Sequence, residues 1–140
     1  MKSKVIHTSS AEETEKIASA FAKTLKKGDC IALTGPLGSG KTTFVKGLAK
    51  GLGIKEFVKS PTFNLLHIHH GRLPLYHFDF YRLGESDLED LGFVEYVYDS
   101  DGVAVLEWAE RVKGALPKNT HWITLSSLTN ENERKIEIKS

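Results

Sequence analysis

One glycine-rich segment restricts the folds open to this chain more than any other feature. It reads Gly35-Pro36-Leu37-Gly38-Ser39-Gly40-Lys41-Thr42 and matches the phosphate-loop (Walker A) pattern G-x-x-x-x-G-K-[ST]. An apolar run at 30–33 precedes it, as in a strand buried on both faces of a parallel sheet. Apolar residues with helical spacing follow at positions 44, 45, 48 and 52. The sequence therefore predicts an α/β fold organised around a strand, this loop and a helix.

The residues of the loop suit a nucleoside triphosphate. Glycines let backbone N–H groups converge on phosphate without Cβ clashes, and the helix N-terminus adds its free N–H groups and its dipole. Lys41 supplies a positive charge for the β- and γ-phosphates, and Thr42 supplies a hydroxyl for Mg²⁺. Thr43 is either a ligand of the α-phosphate or a solvent-facing residue. The predicted nucleotide-binding residues of the loop are Gly35, Gly38, Ser39, Gly40, Lys41, Thr42 and Thr43.

The rest of the chain alternates helix and strand signals. An apolar stripe at 17–25 predicts a helix that ends at 26–28, and Ser86 opens a capping box for a second, short helix. Hairpin arms are predicted at 63–69 with 75–80 and at 121–125 with 134–138, and a buried strand at 103–106. We therefore expect a single domain, 1–140, with a P-loop NTPase-like three-layer α/β fold. Its mixed, partly parallel sheet is flanked by helices and antiparallel hairpins.

Composition narrows the function classes. Of the 140 residues, 19 are Lys or Arg and 18 are Asp or Glu, which gives a net charge of +1. This balance disfavours a strongly basic surface that holds nucleic acid alone, and no DNA partner is expected. The single cysteine, Cys30, cannot form an intramolecular disulfide and is expected to be buried. No segment approaches the ~18 apolar residues of a membrane span, so we expect a cytoplasmic protein.

Two carboxylates are candidates to orient Mg²⁺ or the attacking water. Glu107 directly follows the apolar strand 103–106, and Asp79 lies at the end of the central hairpin. The alternative for each is a surface carboxylate or an ion pair, with Arg82 as a partner for Asp79. The sequence does not assign the base between the two.

Three further features allow both a functional and a structural interpretation. Thr62, in Ser60-Pro61-Thr62-Phe63, either reaches the γ-phosphate from a switch-like loop or simply starts a strand. Trp108 is either a core residue or a neighbour of the nucleotide. His67, His69 and His70, with His77 on the returning arm, lack structural-zinc spacing, so we expect solvent-facing hairpin histidines.

In combination, these motifs resemble the TsaE (YjeE) family of small bacterial P-loop ATPases in tRNA threonylcarbamoyladenosine synthesis. The resemblance covers nearly the whole chain. Besides the phosphate loop, it rests on Lys59-Ser60-Pro61-Thr62-Phe63, Leu75-Tyr76-His77-Phe78-Asp79-Phe80-Tyr81-Arg82-Leu83, Asp90-Leu91-Gly92-Phe93, Val105-Leu106-Glu107-Trp108-Ala109-Glu110 and Arg134-Lys135-Ile136.

The resemblance implies roles for individual residues. ATP would be bound by the loop, Mg²⁺ would be held by Thr42 and Glu107, and Asp79 would be needed for hydrolysis. Thr62 would belong to a switch-like segment. Trp108, Ser10 and Arg134 would lie near the nucleotide. The family acts with the TsaB–TsaD pair, so hydrolysis, weak in the isolated protein, would reset that complex, and tRNA would be contacted through it.

Two other functions fit the phosphate loop. A small-molecule kinase would use Asp79 as the base toward a substrate hydroxyl, although no arginine-rich lid segment is present. A GTP-dependent binding module is disfavoured because the sequence contains no N-K-x-D stretch for guanine.

Overall fold

The computed structural model describes residues 3–36, 38–55, 66–81, 84–98, 100–130 and 132–140. Its strands form one mixed sheet of seven, and helices lie on both faces. In chain order the elements are β1 (Ser3–Thr8), α1 (Ala11–Ala22), β2 (Cys30–Thr34), α2 (Lys41–Gly51), β3 (Leu66–His69), β4 (Leu75–Asp79), a 3₁₀ helix (Glu85–Asp87), α3 (Phe93–Val97), β5 (Val103–Glu107), a 3₁₀ segment (Ala109–Ala115), β6 (His121–Ser127) and β7 (Arg134–Lys139).

The strand order is β1-β7-β6-β2-β5-β4-β3. The centre is parallel: β2 pairs with β5 and β6, and β4 pairs with β5. The outer pairs β3–β4, β6–β7 and β1–β7 are antiparallel. Because parallel strands end at the same edge, the ends of β2, β4 and β5 meet there, and Glu107 is in register with both Leu33 and Asp79. The predicted mixed α/β sheet and the hairpin of β6 with β7 are confirmed. The hairpin of β3 with β4 is confirmed from residue 66 onward, and residues 63–65 of its predicted first arm lie outside the described residues.

One face of the sheet is covered by α1 and α2, which pack closely on each other. Two helix glycines permit this approach: a Cβ added at Gly47 would lie 2.5 Å from the Glu15 carbonyl oxygen, and one at Gly51 would lie 2.4 Å from that of Ser19. The opposite face carries an aromatic cluster in which Phe78 stacks on Phe80. Cys30 is buried on this face, as expected.

Two helix boundaries differ from the prediction. Helix α1 ends at Ala22 rather than at 26–28, because the Thr24 hydroxyl and the Thr24 N–H both donate to the Phe21 carbonyl and close the last turn. The helical turn near Ser86 begins at Gly84, whose N–H donates to the Asp87 carboxylate, so the predicted Ser86 cap is wrong. In the part of the chain described here, no helix has the length and hydrophobicity to span a membrane.

Candidate functional site

The glycine-rich loop delivers the N-terminus of α2 to the sheet edge where β2, β4 and β5 end. The first helical hydrogen bond runs from the Phe44 N–H to the Gly40 carbonyl, so the N–H groups of residues 41–43 precede the helical ladder. Gly40 is the N-cap, and the first turn contains no acidic residue. In α1, by contrast, Ser10 caps the helix and two glutamates occupy the first turn. The start of α2 therefore suits an external anion.

The loop needs glycine at its two ends. Gly35 has a φ of 139°, and a Cβ there would lie 2.3 Å from the Leu125 carbonyl oxygen, so no side chain fits. Gly40 has a φ of 100° in the left-handed region, which turns the chain into the helix. The predicted strand–loop–helix unit is confirmed.

Lys41 is held inside the loop by the protein itself. Its side chain is buried, and Nζ donates to the Gly35 carbonyl at 2.5 Å. The same ammonium lies 3.3 Å from the ring centroid of Trp108, within cation–π range. Burial lowers the pKa of Lys41, and the nearby carboxylates of Glu107, Glu110 and Asp79 offset part of that effect. The charged form is thus disfavoured by burial and would gain from an anionic ligand.

Both predicted carboxylates lie at this edge. Glu107 ends β5 and is 4% exposed, so the surface-carboxylate alternative does not hold for it. Asp79 ends β4, is partly buried, and accepts a hydrogen bond from the Tyr81 N–H at 2.9 Å. Burial raises the pKa of Asp79, while the Tyr81 N–H lowers it and the negative charge of Glu107 raises it further. Arg82, the predicted ion-pair partner of Asp79, lies outside the described residues.

A cavity of about 460 Å³ brings these groups together. Positively charged side chains and carboxylates both line it. Its wall also includes the rings of Trp108 and Tyr81, whose centroids lie 5.0 Å apart. Arg134 also lines it and donates from Nη2 to the Gly38 carbonyl at 3.1 Å. The lining residues are Gly38, Gly40, Lys41, Thr42, Thr43, Asp79, Tyr81, Glu107, Trp108 and Arg134.

The donor set of this cavity fits a polyphosphate and a divalent cation. The helical N–H groups, the Lys41 ammonium and the Arg134 guanidinium can bind phosphate oxygens. Mg²⁺ is usually held by one or two carboxylates together with phosphate oxygens and water, and Thr42, Asp79 and Glu107 offer suitable oxygen atoms. Grooves of about 600 and 640 Å³ lie elsewhere, but one is lined mainly by apolar residues and the other carries three glutamates and no basic residue.

Other predicted residues have different positions. The Ser10 hydroxyl accepts from the Glu13 N–H at 3.1 Å and caps α1, and Ser10 is not among the cavity-lining residues. The start of α1 still approaches the loop, since Ala11 and Thr14 line a small adjoining pocket of about 40 Å³. Ser39 is fully buried within the loop. Thr62 lies outside the described residues, and its role stays a prediction.

The expectation of solvent-facing histidines is wrong for two of them. His69, on the edge strand β3, is 7% exposed. His77 is fully buried because β4 is an interior strand with buried residues on both faces. His77 Nε2 lies 2.6 Å from Glu107 Oε2. Within the described residues no three His, Cys, Asp or Glu side chains are grouped to hold a metal. Sequence analysis missed Tyr81 in the cavity wall and the contact between His77 and Glu107.

A parallel strand, a glycine-rich turn, an uncapped helix start and an inward-facing lysine together define a P-loop α/β domain. The family described as "Threonylcarbamoyl adenosine biosynthesis protein TsaE" matches residues 8–136. The chain therefore belongs to the TsaE family.

Similar proteins agree with this assignment. The chain is 48% identical over 124 residues to "tRNA threonylcarbamoyladenosine biosynthesis protein TsaE" of Treponema pallidum, covering 88% of this chain and 91% of that relative. It is 45% identical over 130 residues to the protein of the same name from Bacillus subtilis, covering 92% and 80%. Among solved structures, "Crystal structure of Bacillus subtilus YdiB" has a TM-score of 0.82 at 36% identity, covering 98% of this chain and 84% of that one.

Proposed function

We propose that this protein serves threonylcarbamoyladenosine formation on tRNA by binding ATP with Mg²⁺ and hydrolysing the nucleotide. Family membership and the names of the relatives support the role in tRNA modification. The surroundings of the Lys41 ammonium are the observation that most supports ATP binding. This ammonium is buried at the start of α2, and it contacts a carbonyl oxygen and an indole ring. Phosphate oxygens would offer it charged acceptors that neither of these contacts provides.

The residues of the cavity divide into binding and reacting groups. The N–H groups of residues 41–43, with Lys41 and Arg134, bind the phosphates and stabilise the charge that develops on the γ-phosphoryl group. Thr42 and Glu107 would hold Mg²⁺, which when bound would supply positive charge that stabilises the phosphates. Asp79 would orient the attacking water, because burial raises its pKa and thereby its affinity for the proton that the water gives up.

The partner proteins are part of the proposal. We expect the TsaB–TsaD pair to stimulate hydrolysis, which resets that complex, and we expect tRNA to be contacted through the complex. A net charge of +1 supports the indirect contact, because binding tRNA alone would favour a basic surface. The cytoplasm is the corresponding compartment.

Phosphate release from ATP tests the proposal. The purified protein is assayed alone and with a matching TsaB–TsaD pair, beside Glu107→Ala. Glu137→Ala is the matched control, because Glu137 is a partly buried strand carboxylate that does not line the cavity. We expect low basal turnover, stimulation by the pair, and a loss of more than about tenfold in Glu107→Ala only.

Other outcomes would contradict this function. Wild-type turnover in Glu107→Ala would remove the metal role of that carboxylate. ATP turnover that the TsaB–TsaD pair does not change would indicate that this protein does not act with that complex. A phosphorylated metabolite in place of free phosphate would instead favour the kinase alternative, with Asp79 facing a substrate hydroxyl.

A further inference from the structure

A buried histidine stands directly behind the Glu107 carboxylate. His77 lies in the middle of β4, and Glu107 ends the neighbouring parallel strand β5. Their side chains, 0% and 5% exposed, meet through His77 Nε2 and Glu107 Oε2 at 2.6 Å. None of the roles assigned above to the cavity residues uses this contact.

The direction of the hydrogen bond follows from its partners. An ionised carboxylate only accepts, so the His77 Nε2–H donates to Glu107 Oε2. The bond is short and shielded from water, which makes a charge-assisted hydrogen bond strong. The other ring nitrogen, Nδ1, is buried and has no hydrogen-bond partner in the described part of the chain. Because an unsatisfied buried nitrogen costs stability, packing alone would favour an apolar side chain at this position.

The bond controls what the second carboxylate oxygen can do. With Oε2 held by His77, Oε1 of Glu107 remains for the cavity that Glu107 lines. The Lys41 ammonium lies in the same cavity, and the charge of Glu107 already acts on it. A carboxylate without the histidine could turn toward that ammonium and pair with it. The histidine therefore keeps Glu107 available for a cation and Lys41 available for phosphate.

We propose that His77 is a positioning residue that fixes the Glu107 carboxylate for a divalent cation bound together with the nucleotide. This inference rests on the proposed ATP and Mg²⁺ site and adds a residue that contacts neither ligand. Hydrogen-bond partners behind metal ligands generally change metal affinity by about 10–100-fold when they are removed.

Two amide substitutions of similar polarity separate positioning from packing. The side-chain nitrogen of Gln can occupy the place of the ring Nε2 and reach Glu107, whereas that of Asn ends near the place of Nδ1 and does not. His77→Gln should keep the bond and His77→Asn should lose it. His77→Leu is a second variant without the donor, and it also removes the buried, unsatisfied Nδ1. His69→Asn is the control, because His69 is buried on the adjacent strand opposite Leu75, away from Glu107.

The readout is the effect of Mg²⁺ on nucleotide affinity, without turnover. Calorimetry gives the Kd of a non-hydrolysable ATP analogue in Mg²⁺ and in EDTA, and circular dichroism verifies folding. We expect Mg²⁺ to tighten binding in the wild type. This tightening should fall by about tenfold or more in His77→Asn and His77→Leu, and persist in His77→Gln and His69→Asn. Affinity in EDTA should stay within about twofold of the wild type in all variants.

The failure of this inference is distinguishable from failure of the proposed function. Unchanged Mg²⁺ tightening in a folded His77→Asn or His77→Leu overturns the positioning role. Equal losses with and without Mg²⁺ also overturn it, because they indicate a general distortion of the cavity. A wild-type protein that binds no analogue, or binds it without regard to Mg²⁺, refutes the nucleotide site itself.

Discussion

The contact between α1 and α2 gives a prediction whose size follows from the structure. In Gly47→Ala the new Cβ would lie 2.5 Å from the Glu15 carbonyl oxygen and 2.6 Å from the Ala18 Cβ. Carbon atoms in contact lie about 3.5–4.0 Å apart, so the helices must separate by about 1 Å. Overpacking of this kind costs about 1–3 kcal/mol, and the rigid backbone obstacle favours the upper end. The higher helix propensity of alanine offsets about 1 kcal/mol of this cost, so the free energy of unfolding should fall by about 2 kcal/mol.

Thermal unfolding measures this loss. For a chain of this length the expected fall in Tm is about 4–8 °C. Gly84→Ala is the control, because no atom lies within 4 Å of its added Cβ, and it should change stability by less than about 0.5 kcal/mol. Since α2 also carries Lys41, Gly47→Ala should weaken binding of an ATP analogue. A Tm at or above the wild type would refute the reasoning, because it would mean that the missing side chain does not set the spacing of the helices.

Two further predictions concern the cavity. Burial raises the pKa of Asp79, so its stabilising contribution is complete below the unfolded value of about 3.9 and is lost as pH rises through the folded value. Asp79→Asn, which keeps an acceptor for the Tyr81 N–H, should therefore raise Tm at pH 7 and lose this gain near pH 4, and a gain independent of pH would contradict the cause. Trp108 contacts the Lys41 ammonium, so ATP should change its fluorescence. This fluorescence change should persist in Trp122→Phe and disappear in Trp108→Phe. A change that disappears in Trp122→Phe and persists in Trp108→Phe would show that phosphate binding leaves the Lys41–Trp108 contact intact.

Much of the fold could be predicted because its signals are local. Strand β2, the glycine loop and α2 follow one another directly along the chain, and each has its own motif or periodicity. The first four residues of β5 form an uninterrupted apolar run, which Glu107 ends. The five residues of α3 are too few to show a helical period, and α1 ends in a turn that the hydroxyl and N–H of Thr24 close. The order of the strands was not predictable, since β1 pairs with a strand more than a hundred residues away.

The residues of the candidate site also divide into those that local sequence signals predict and those that only the folded sheet brings together. Lys41, Asp79 and Glu107 could be predicted as a group, because a loop lysine and acids after strands meet at the carboxyl edge of a parallel sheet. Arg134 followed only from the family resemblance, since nothing local connects it with the loop. His77 precedes Asp79 by two residues and so shares its side of β4, but only the pairing of β4 with β5 directs it at Glu107. The burial of the neighbouring His69 likewise needed the sheet.

The position of β7 sets the order in which the molecule can be completed during translation. Strand β1 is made before the other described elements, yet in the described sheet it borders only β7, with Thr8 opposite Arg134. In a nascent chain β1 therefore stays unpaired until β7 has left the ribosome, after nearly all other described elements. The same late strand brings Arg134 to the cavity lined by Lys41 and Glu107. The pairing of β1 with the sheet and the completion of this cavity thus both wait for β7, and chains truncated before this strand should lack both.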